Sequence, residues 1–499
     1  MRGHPHRRRE AAATATSPAA RSESATAIRG GALRVLGYAC GVLVSLATAT
    51  ILVRHLGIQG FGRYVTVTSL IALVGGVTEA GIVVHGIREF LLRDDRDRRE
   101  LMGNLLAMRL TLAVLGVALA VCFSVAVGYR QVMVFGALVA GAGLLVQVIA
   151  DVMSVSLQAQ LLLGRLTAVE LARRALTLVL IAVLALAGAG LLPLLGASAL
   201  AGAVALASIA WMVRRYVAVR LTFDLRRWRE LLAETSLYAI ALSIASIYLY
   251  VTVIVMSAIA TPTQTGLFAT SFRVTQAGLA IPGLLLTAVF PLMTRRQPGE
   301  DADADPGEAV GKVFTVAVIC GVWMSLATAL GAKFIVDVIA GRQGAGSIAV
   351  LRIHSLMFVV SFLFTAGALY LVSIRRYRPL LIAASSALAL NIVLALILVP
   401  DLGARGGALA DVITEAVAAS GLTAVVVRAV AGHHIGPSFV AALALACAAS
   451  ASMLLLPVGS LAQASGATVI YFAVLLAAGA VPREVVDAAR RLRHVRASA

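Results

Sequence analysis

The chain has 499 residues, of which 60% are hydrophobic and 13% carry a charge, and its mean hydropathy is +0.94. This composition excludes an ordinary soluble globule, because so few charged residues could not solvate a surface of that size. The net charge of +18 would suit nucleic-acid binding in a soluble protein, but the placement of the basic residues indicates another cause.

The first 31 residues are rich in Arg, Ala and Ser and contain no apolar stretch. They predict a disordered cytoplasmic tail and no signal peptide. After this tail, fourteen windows are apolar and long enough to cross about 30 Å of hydrocarbon. These windows are 32–53, 64–87, 105–127, 132–155, 175–192, 194–213, 236–260, 266–293, 313–332, 353–374, 379–400, 406–427, 437–457 and 464–482.

Lys and Arg are distributed unevenly among the segments that connect these windows. With the N-terminus placed inside, 32 of the 42 basic residues fall on inner segments and 7 on outer loops. Cytoplasmic segments retain basic residues, so this distribution predicts that both termini are cytoplasmic. The positive charge is therefore explained by membrane topology and contact with anionic lipids, and no nucleic-acid partner is predicted.

The chain contains a weak internal repeat. The segment around Gly62 resembles the segment around Gly266, which lies 204 residues later, and two further pairs of segments match at nearly the same offset. This offset spans six windows, and an even number of crossings restores the direction of the chain. The repeat therefore predicts two lobes of parallel topology.

The predicted fold is an all-α polytopic membrane protein of about fourteen transmembrane helices. Its predicted parts are a disordered tail (1–31), an N-terminal six-helix lobe (32–214), an interfacial amphipathic linker (215–235), a C-terminal six-helix lobe (236–430), two additional helices (431–482) and a basic cytoplasmic tail (483–499). The four cysteines lie far apart inside apolar windows, so no metal site is predicted.

The first hairpin and the eighth window carry residues typical of a known family. The matching residues are Arg54, Leu56-Gly57, Gly62-Arg63-Tyr64 and Glu79-Ala80-Gly81 in the hairpin, and Arg273, Pro282 and Phe290-Pro291 in the eighth window. Glu79 stands where the family more often has Asp. With the span count and the repeat, these residues resemble the polysaccharide-transporter (oligosaccharide flippase) family of the multidrug/oligosaccharidyl-lipid/polysaccharide (MOP) superfamily.

The resemblance implies a transporter of the bacterial plasma membrane and not an enzyme. Its substrate would be an undecaprenyl-pyrophosphate-linked oligosaccharide, exported for a surface polysaccharide such as lipopolysaccharide or exopolysaccharide. The two lobes would alternate access to a central cavity, so that the sugar crosses in water while the lipid tail stays in the bilayer. The expected partners are this substrate, membrane lipids and other membrane proteins of polysaccharide assembly.

Three alternatives remain open from the sequence. A cation-coupled multidrug exporter of the same superfamily would share the lobes and the repeat. A twelve-helix facilitator would also have parallel halves and an Arg/Asp-rich inner loop like 93–99, but the flanking glycines are missing and two windows would be left over. A membrane polymerase or lipid-linked glycosyltransferase would resemble other enzymes of its class, which carry large outer loops with catalytic residues. Here the longest outer loop, 333–352, has only four charged residues.

Several ionisable side chains lie inside the apolar windows, where each costs roughly 2.5–3.5 kcal/mol unless it faces a partner or water. One interpretation is simple neutralisation. It pairs Arg109 with Asp151, and it pairs Arg273 with Asp411 or Glu415.

The other interpretation is functional. Arg273 and Arg109 would attract the pyrophosphate of the substrate, as cavity arginines do in related flippases. Asn391, Asp411 and Glu415 would offer oxygens to a coupling cation, either Na⁺ or H⁺, because hard cations prefer oxygen ligands. Proton uptake by Glu415 would serve the same purpose. No other cofactor and no catalytic residue is predicted.

Overall fold

The computed structural model describes residues 18–79, 82–92, 94–160, 162–214, 221–294, 306–429 and 436–482. The all-α class is confirmed, because these residues form fourteen α-helices and two short 3₁₀ turns. The helices are α1 (Pro18–Glu79), α2 (Ile82–Leu92), α3 (Asp95–Ala126), α4 (Gln131–Ala159), α5 (Leu163–Leu186), α6 (Leu191–Val213), α7 (Leu225–Ile259), α8 (Pro262–Thr294), α9 (Pro306–Ala340), α10 (Ser347–Ser373), α11 (Arg378–Leu402), α12 (Ala404–Ala429), α13 (Pro437–Ala451) and α14 (Ser460–Ala477). The 3₁₀ turns are Gly341–Gly344 and Ser452–Leu455.

Eleven helices in the described residues are long and apolar enough to cross a membrane, which makes the protein a multi-pass membrane protein. One of the eleven, Gly37–Glu79, is 43 residues long and covers most of the first two predicted windows, 32–53 and 64–87. Helix α5 is not among the eleven because every sufficiently long stretch of it contains Glu170, Arg173 and Arg174. The count of fourteen crossings stays a prediction, as does the side on which the termini lie.

Helix α1 differs from the predicted first hairpin in two ways. The chain stays helical from the first window into the second, with a kink at Gly57, where φ is 69°. Only glycine adopts such a φ at little cost, so the kink accounts for a glycine in the family motif. The helix also starts at Pro18, inside the tail predicted to be disordered, because its Ala-rich sequence favours helix. Residues 1–17 lie outside the described residues.

The predicted linker 215–235 also differs from the structure. Residues 215–220 lie outside the described residues, and 221–224 are non-helical. Helix α7 then runs without interruption from Leu225 to Ile259, because no Gly or Pro ends it at the membrane boundary. The sequence pattern predicted a separate interfacial helix, whereas the structure extends the transmembrane helix into this segment.

Helix packing recurs with an offset of six helices. Helix α3 packs on α4, α4 packs on α6, and α5 packs on both α6 and α1. Six helices later, α9 packs on α10, α10 packs on α12, and α11 packs on both α12 and α7. A parallel duplication explains why the same pairs meet in both halves. Helices α13 and α14 pack on each other, and α14 also contacts α9.

The two halves meet where α1 crosses α8. A methyl group added at Gly62 would lie 2.8 Å from the backbone nitrogen of Gly266, and one added at Gly266 would overlap the carbonyl oxygen of Ile58. Nearby, Gln59 Nε2 donates to Thr263 Oγ1 at 3.1 Å. Both pairs join positions that are 204 residues apart. Equivalent residues of the repeat therefore touch at the predicted outer end of the interface.

This contact predicts a specific sensitivity to side-chain size. Replacing Gly266 by Ala forces a methyl group into the Ile58 backbone, and overpacking of this kind costs about 1–3 kcal/mol. The matched control is Gly421→Ala in α12, where the space beside the glycine is open. We expect the apparent melting temperature of the purified protein in detergent to fall for Gly266→Ala and to stay level or rise slightly for Gly421→Ala. Equal melting temperatures would contradict the close approach of the two helices.

Candidate functional site

A cavity of about 540 Å³ lies between the two halves, one to two turns inward of the Gly62–Gly266 contact. Helix α1 provides most of its wall, from both sides of the Gly57 kink, and α5, α7 and α8 complete it. The polar side chains in the wall are Ser45, Thr48, Tyr64, Thr68, Ser69, Arg173, Arg174, Thr177, Tyr250 and Arg273. Three arginines and a set of hydroxyl groups therefore face one space.

Arg273 lies two turns after Gly266 on α8 and reaches across to the first half. Its Nη2 donates to Thr68 Oγ1 at 3.2 Å, and its Nη1 lies 3.5 Å from Gln276 Oε1. Within the described part of the chain, no carboxylate lies within ion-pair distance of Arg273, so neither Asp411 nor Glu415 neutralises it. A guanidinium without a counter-charge in a cavity is a favourable position for an anion.

Arg173 and Arg174 are functional candidates that the sequence interpretation missed, because they precede the fifth apolar window and were counted with the inner loop. Glu170 Oε2 and Oε1 accept from Arg173 Nε and Nη2 at 2.8 and 2.7 Å, and Glu170 Oε1 also accepts from Arg174 Nε at 2.8 Å. One carboxylate thus serves two guanidiniums. With Arg273, the group holds three positive charges against one negative charge.

Arg109 is placed differently from Arg273. It is 2% exposed within the first half, is not part of the cavity wall, and its Nη1 lies 3.7 Å from Asp151 Oδ2. Gln147 also donates to Asp151, at 2.8 Å. Of the two pairings considered from the sequence, the structure contains the Arg109–Asp151 pair. A role for Arg109 in substrate binding stays a prediction.

Two of the three coupling-ion candidates of the second half, Asn391 and Asp411, lie in one polar cluster, and the third, Glu415, lies one turn after Asp411 on α12. Thr252 Oγ1 lies 2.9 Å from Asn391 Oδ1 and 2.5 Å from Asp411 Oδ1, and Asn391 Nδ2 donates to Asp411 Oδ1 at 3.0 Å. Asn391 is completely buried, and the Asp411 side chain is 14% exposed. Helices α7, α11 and α12 therefore bring three polar side chains to one point.

Further members of this cluster were not singled out from the sequence. His354 Nε2 lies 3.3 Å from Asp411 Oδ2, and the other ring nitrogen of His354 lies 2.7 Å from Ser271 Oγ. Tyr248 donates to Glu415 Oε2 at 2.7 Å. A histidine inside the tenth apolar window was the available signal for His354, whereas Tyr248 is indistinguishable from an ordinary packing residue before the fold is known.

The family-motif residues are distributed between the interface and the cavity. Arg54 donates to the backbone oxygen of Val338 at 2.7 Å, which ties α1 to the end of α9. Tyr64 is buried in the cavity wall. Glu79 is exposed at the end of α1, and Gly81 lies outside the described residues.

Arg109 and Arg273 should respond differently to removal. Arg109→Ala would leave Asp151 without its counter-charge, at a cost toward the lower end of roughly 3–5 kcal/mol because Asp151 is about one-third exposed. Arg273→Ala leaves no carboxylate unpaired among the described residues. We expect a lower abundance and melting temperature for Arg109→Ala, with recovery in Arg109→Ala/Asp151→Asn, and near-normal values for Arg273→Ala. Instability of Arg273→Ala that Asp411→Asn or Glu415→Gln repairs would contradict the observed geometry.

Comparison with known proteins agrees with this architecture. Residues 27–297, more than half of the chain, match a family model described as polysaccharide biosynthesis protein. A comparison with curated protein sequences returned no match.

Solved structures show the same fold at low sequence identity. The lipid II flippase MurJ in an inward closed conformation is 10% identical with a TM-score of 0.72, covering 90% of this chain and 98% of that one. An inward-facing multidrug resistance MATE transporter of the MOP superfamily is 16% identical with a TM-score of 0.58, covering 78% and 94%. A MOP superfamily transporter from Pyrococcus furiosus is 20% identical with a TM-score of 0.51, covering 80% and 94%. The chain therefore belongs to the polysaccharide biosynthesis protein family, and it shares its fold with these membrane transporters.

Proposed function

We propose that this protein is a flippase that moves an undecaprenyl-pyrophosphate-linked oligosaccharide across the bacterial plasma membrane for the synthesis of a surface polysaccharide. The observation that carries the proposal is Arg273, which faces a cavity between the two halves without a carboxylate partner among the described residues. The description of the family and the fold shared with a lipid II flippase support the same substrate class.

The charge of the cavity favours a pyrophosphate over a cationic drug. Arg173, Arg174 and Arg273 carry three positive charges, and Glu170 compensates one of them. A diphosphate would neutralise the remainder and accept hydrogen bonds from the planar guanidiniums. A cation would be repelled, so this cavity is less suited to a multidrug exporter that carries cationic compounds.

The cavity also supports transport in preference to catalysis. Its wall contains arginines and hydroxyl groups, and Glu170, the carboxylate bonded to two of these arginines, is not free to act as a general base. The Gly62–Gly266 contact closes the cavity on its predicted outer side, so release of the sugar outward requires the two halves to separate there. The proposed cycle is alternating access around this contact.

The polar cluster around Asp411 supports coupling of this cycle to a cation. Three short contacts link Thr252, Asn391 and Asp411, and each of them requires a hydrogen or a cation between its two atoms. With Asp411 ionised, the Thr252 hydroxyl and the Asn391 amide provide hydrogens for only two contacts. Exchanging the amide oxygen and nitrogen of Asn391 does not change this count. A proton on Asp411, or a Na⁺ ion held by these oxygens, would complete the cluster.

Substrate binding by Arg273 predicts a defect in export without a defect in folding. In cells whose surface polysaccharide depends on this protein, Arg273→Ala should remain abundant, abolish the polysaccharide and cause the lipid-linked precursor to accumulate inside. Arg273→Lys should be partly active, because an ammonium group cannot offer two parallel donors to a phosphate. Immunoblotting and quantification of precursor and polysaccharide provide the measurement.

The matched control is Arg342→Ala, which removes an exposed arginine from the 3₁₀ turn after α9 and should leave export unchanged. Normal polysaccharide in cells with abundant Arg273→Ala protein would exclude the binding role. Drug resistance that disappears with Arg273→Ala, at normal polysaccharide levels, would instead support the multidrug exporter.

Cation coupling predicts a distinct behaviour for Asp411→Asn. Its amide supplies the missing hydrogen permanently, so the variant should keep its melting temperature but lose uptake of the coupling cation and gradient-driven transport in proteoliposomes. A pH gradient and a Na⁺ gradient, applied separately to the unmodified protein, identify the cation. The control is Asp401→Asn at the exposed end of α11, which should transport normally. Unchanged gradient dependence in Asp411→Asn would exclude this cluster as the coupling site.

A further inference from the structure

The segment before α7 has a regular alternation of side chains. Leu221, Phe223 and Leu225 are 55%, 70% and 76% exposed, although all three are large and apolar. Between them, Thr222 Oγ1 donates to the backbone oxygen of Glu100, and the Asp224 backbone N–H donates to the side chain of Asn104. The polar residues thus attach the segment to α3, and the intervening apolar residues project away from it.

The first turns of α7 add further contacts to α3 and to the apolar side chains. Arg227 Nη1 pairs with Glu100 Oε2 at 2.9 Å, and Trp228 Nε1 donates to Asn104 Oδ1 at 3.3 Å. The Trp228 ring lies 5.9 Å from the ring of Phe223. The segment is therefore held in a defined position on α3, and the exposure of its apolar side chains is a fixed property of the fold.

Two arginines adjoin the exposed apolar residues. Arg226 is 90% exposed, and although Glu230 lies 3.3 Å away, that carboxylate is itself 59% exposed and solvated. Arg229 is also exposed. An apolar group of three side chains with neighbouring cationic side chains matches the boundary between acyl chains and anionic headgroups.

The position of segment 221–229 along α3 indicates what covers its exposed apolar side chains. Glu100 and Asn104 immediately precede the third apolar window, which starts at residue 105, so the segment lies at the cytoplasmic edge of the hydrocarbon. We propose that Leu221, Phe223 and Leu225 insert into the inner leaflet, with Arg226 and Arg229 bound to the phosphates of anionic lipids. The segment 221–229 then anchors the start of α7 to the membrane surface. This inference is independent of the transported substrate.

The depth of Phe223 tests the insertion directly. In the full-length protein with its four cysteines replaced by serine, a bimane fluorophore is attached at Phe223→Cys and the protein is reconstituted in vesicles of phosphatidylglycerol and phosphatidylcholine with brominated acyl chains. We expect strong quenching by bromine at Phe223→Cys. At the control site, Arg376→Cys in the exposed connection between α10 and α11, we expect little quenching. Equal quenching at both sites would overturn the proposal and leave the apolar side chains available to a soluble protein.

The arginines are tested through the dependence on anionic lipid. The fraction of phosphatidylglycerol that gives half-maximal quenching at Phe223→Cys should rise several-fold in Arg226→Gln/Arg229→Gln, because each arginine near the surface adds to the attraction for anionic lipid. The matched double variant Arg375→Gln/Arg376→Gln removes two exposed arginines elsewhere on the same predicted side and should have no effect. An equal response of the two double variants would overturn the assignment of Arg226 and Arg229. Gel filtration of every variant as a single symmetric peak establishes that folding is retained.

Discussion

Two glycines 204 residues apart touch where α1 crosses α8, and the geometry of the interface depends on that contact. The backbones can approach closely because neither residue has a side chain. One to two turns inward, the same helices carry Tyr64, Thr68 and Arg273, whose side chains require more room. The halves must therefore diverge on the inward side, and the cavity is the space that this divergence leaves. A close contact at one end and long polar side chains below it are sufficient to close the predicted outer end and to leave a wider interior.

The sequence predicted this contact only in part. The repeat identified Gly62 and Gly266 as equivalent positions, but equivalence alone does not bring two residues together. In a parallel duplication only residues near the symmetry axis meet their own counterparts, and the position of that axis depends on which helix faces pack. Helix faces were not predictable here, because apolar side chains face both lipid and protein in a membrane and leave no clear amphipathic pattern.

The candidate site shows the same limit. Arg109 and Arg273 were equivalent from the sequence, since both lie inside apolar windows and both have possible acidic partners. Packing separates them, because α4 places Asp151 beside Arg109, whereas α8 turns Arg273 toward Thr68. Arg173 and Arg174 could not be chosen from hydropathy, because the two charges themselves moved the predicted start of the fifth window to residue 175. The helix in fact starts at Leu163, and its packing against α1 makes them part of the cavity wall.

Glu170 gives the cavity a property that its arginines alone would not have. A carrier must release its cargo as well as capture it, and tight binding in the resting complex slows departure. By holding Arg173 and Arg174 in a shared ion pair, Glu170 lowers the attraction of the site for a phosphate group and lets the guanidiniums exchange one anionic partner for another. For the proposed anionic cargo, Glu170 is thus a competitor for the same guanidiniums, already in place when the cargo leaves. Under the proposed function, this competition shortens the dwell time of the anion and thereby raises the turnover rate.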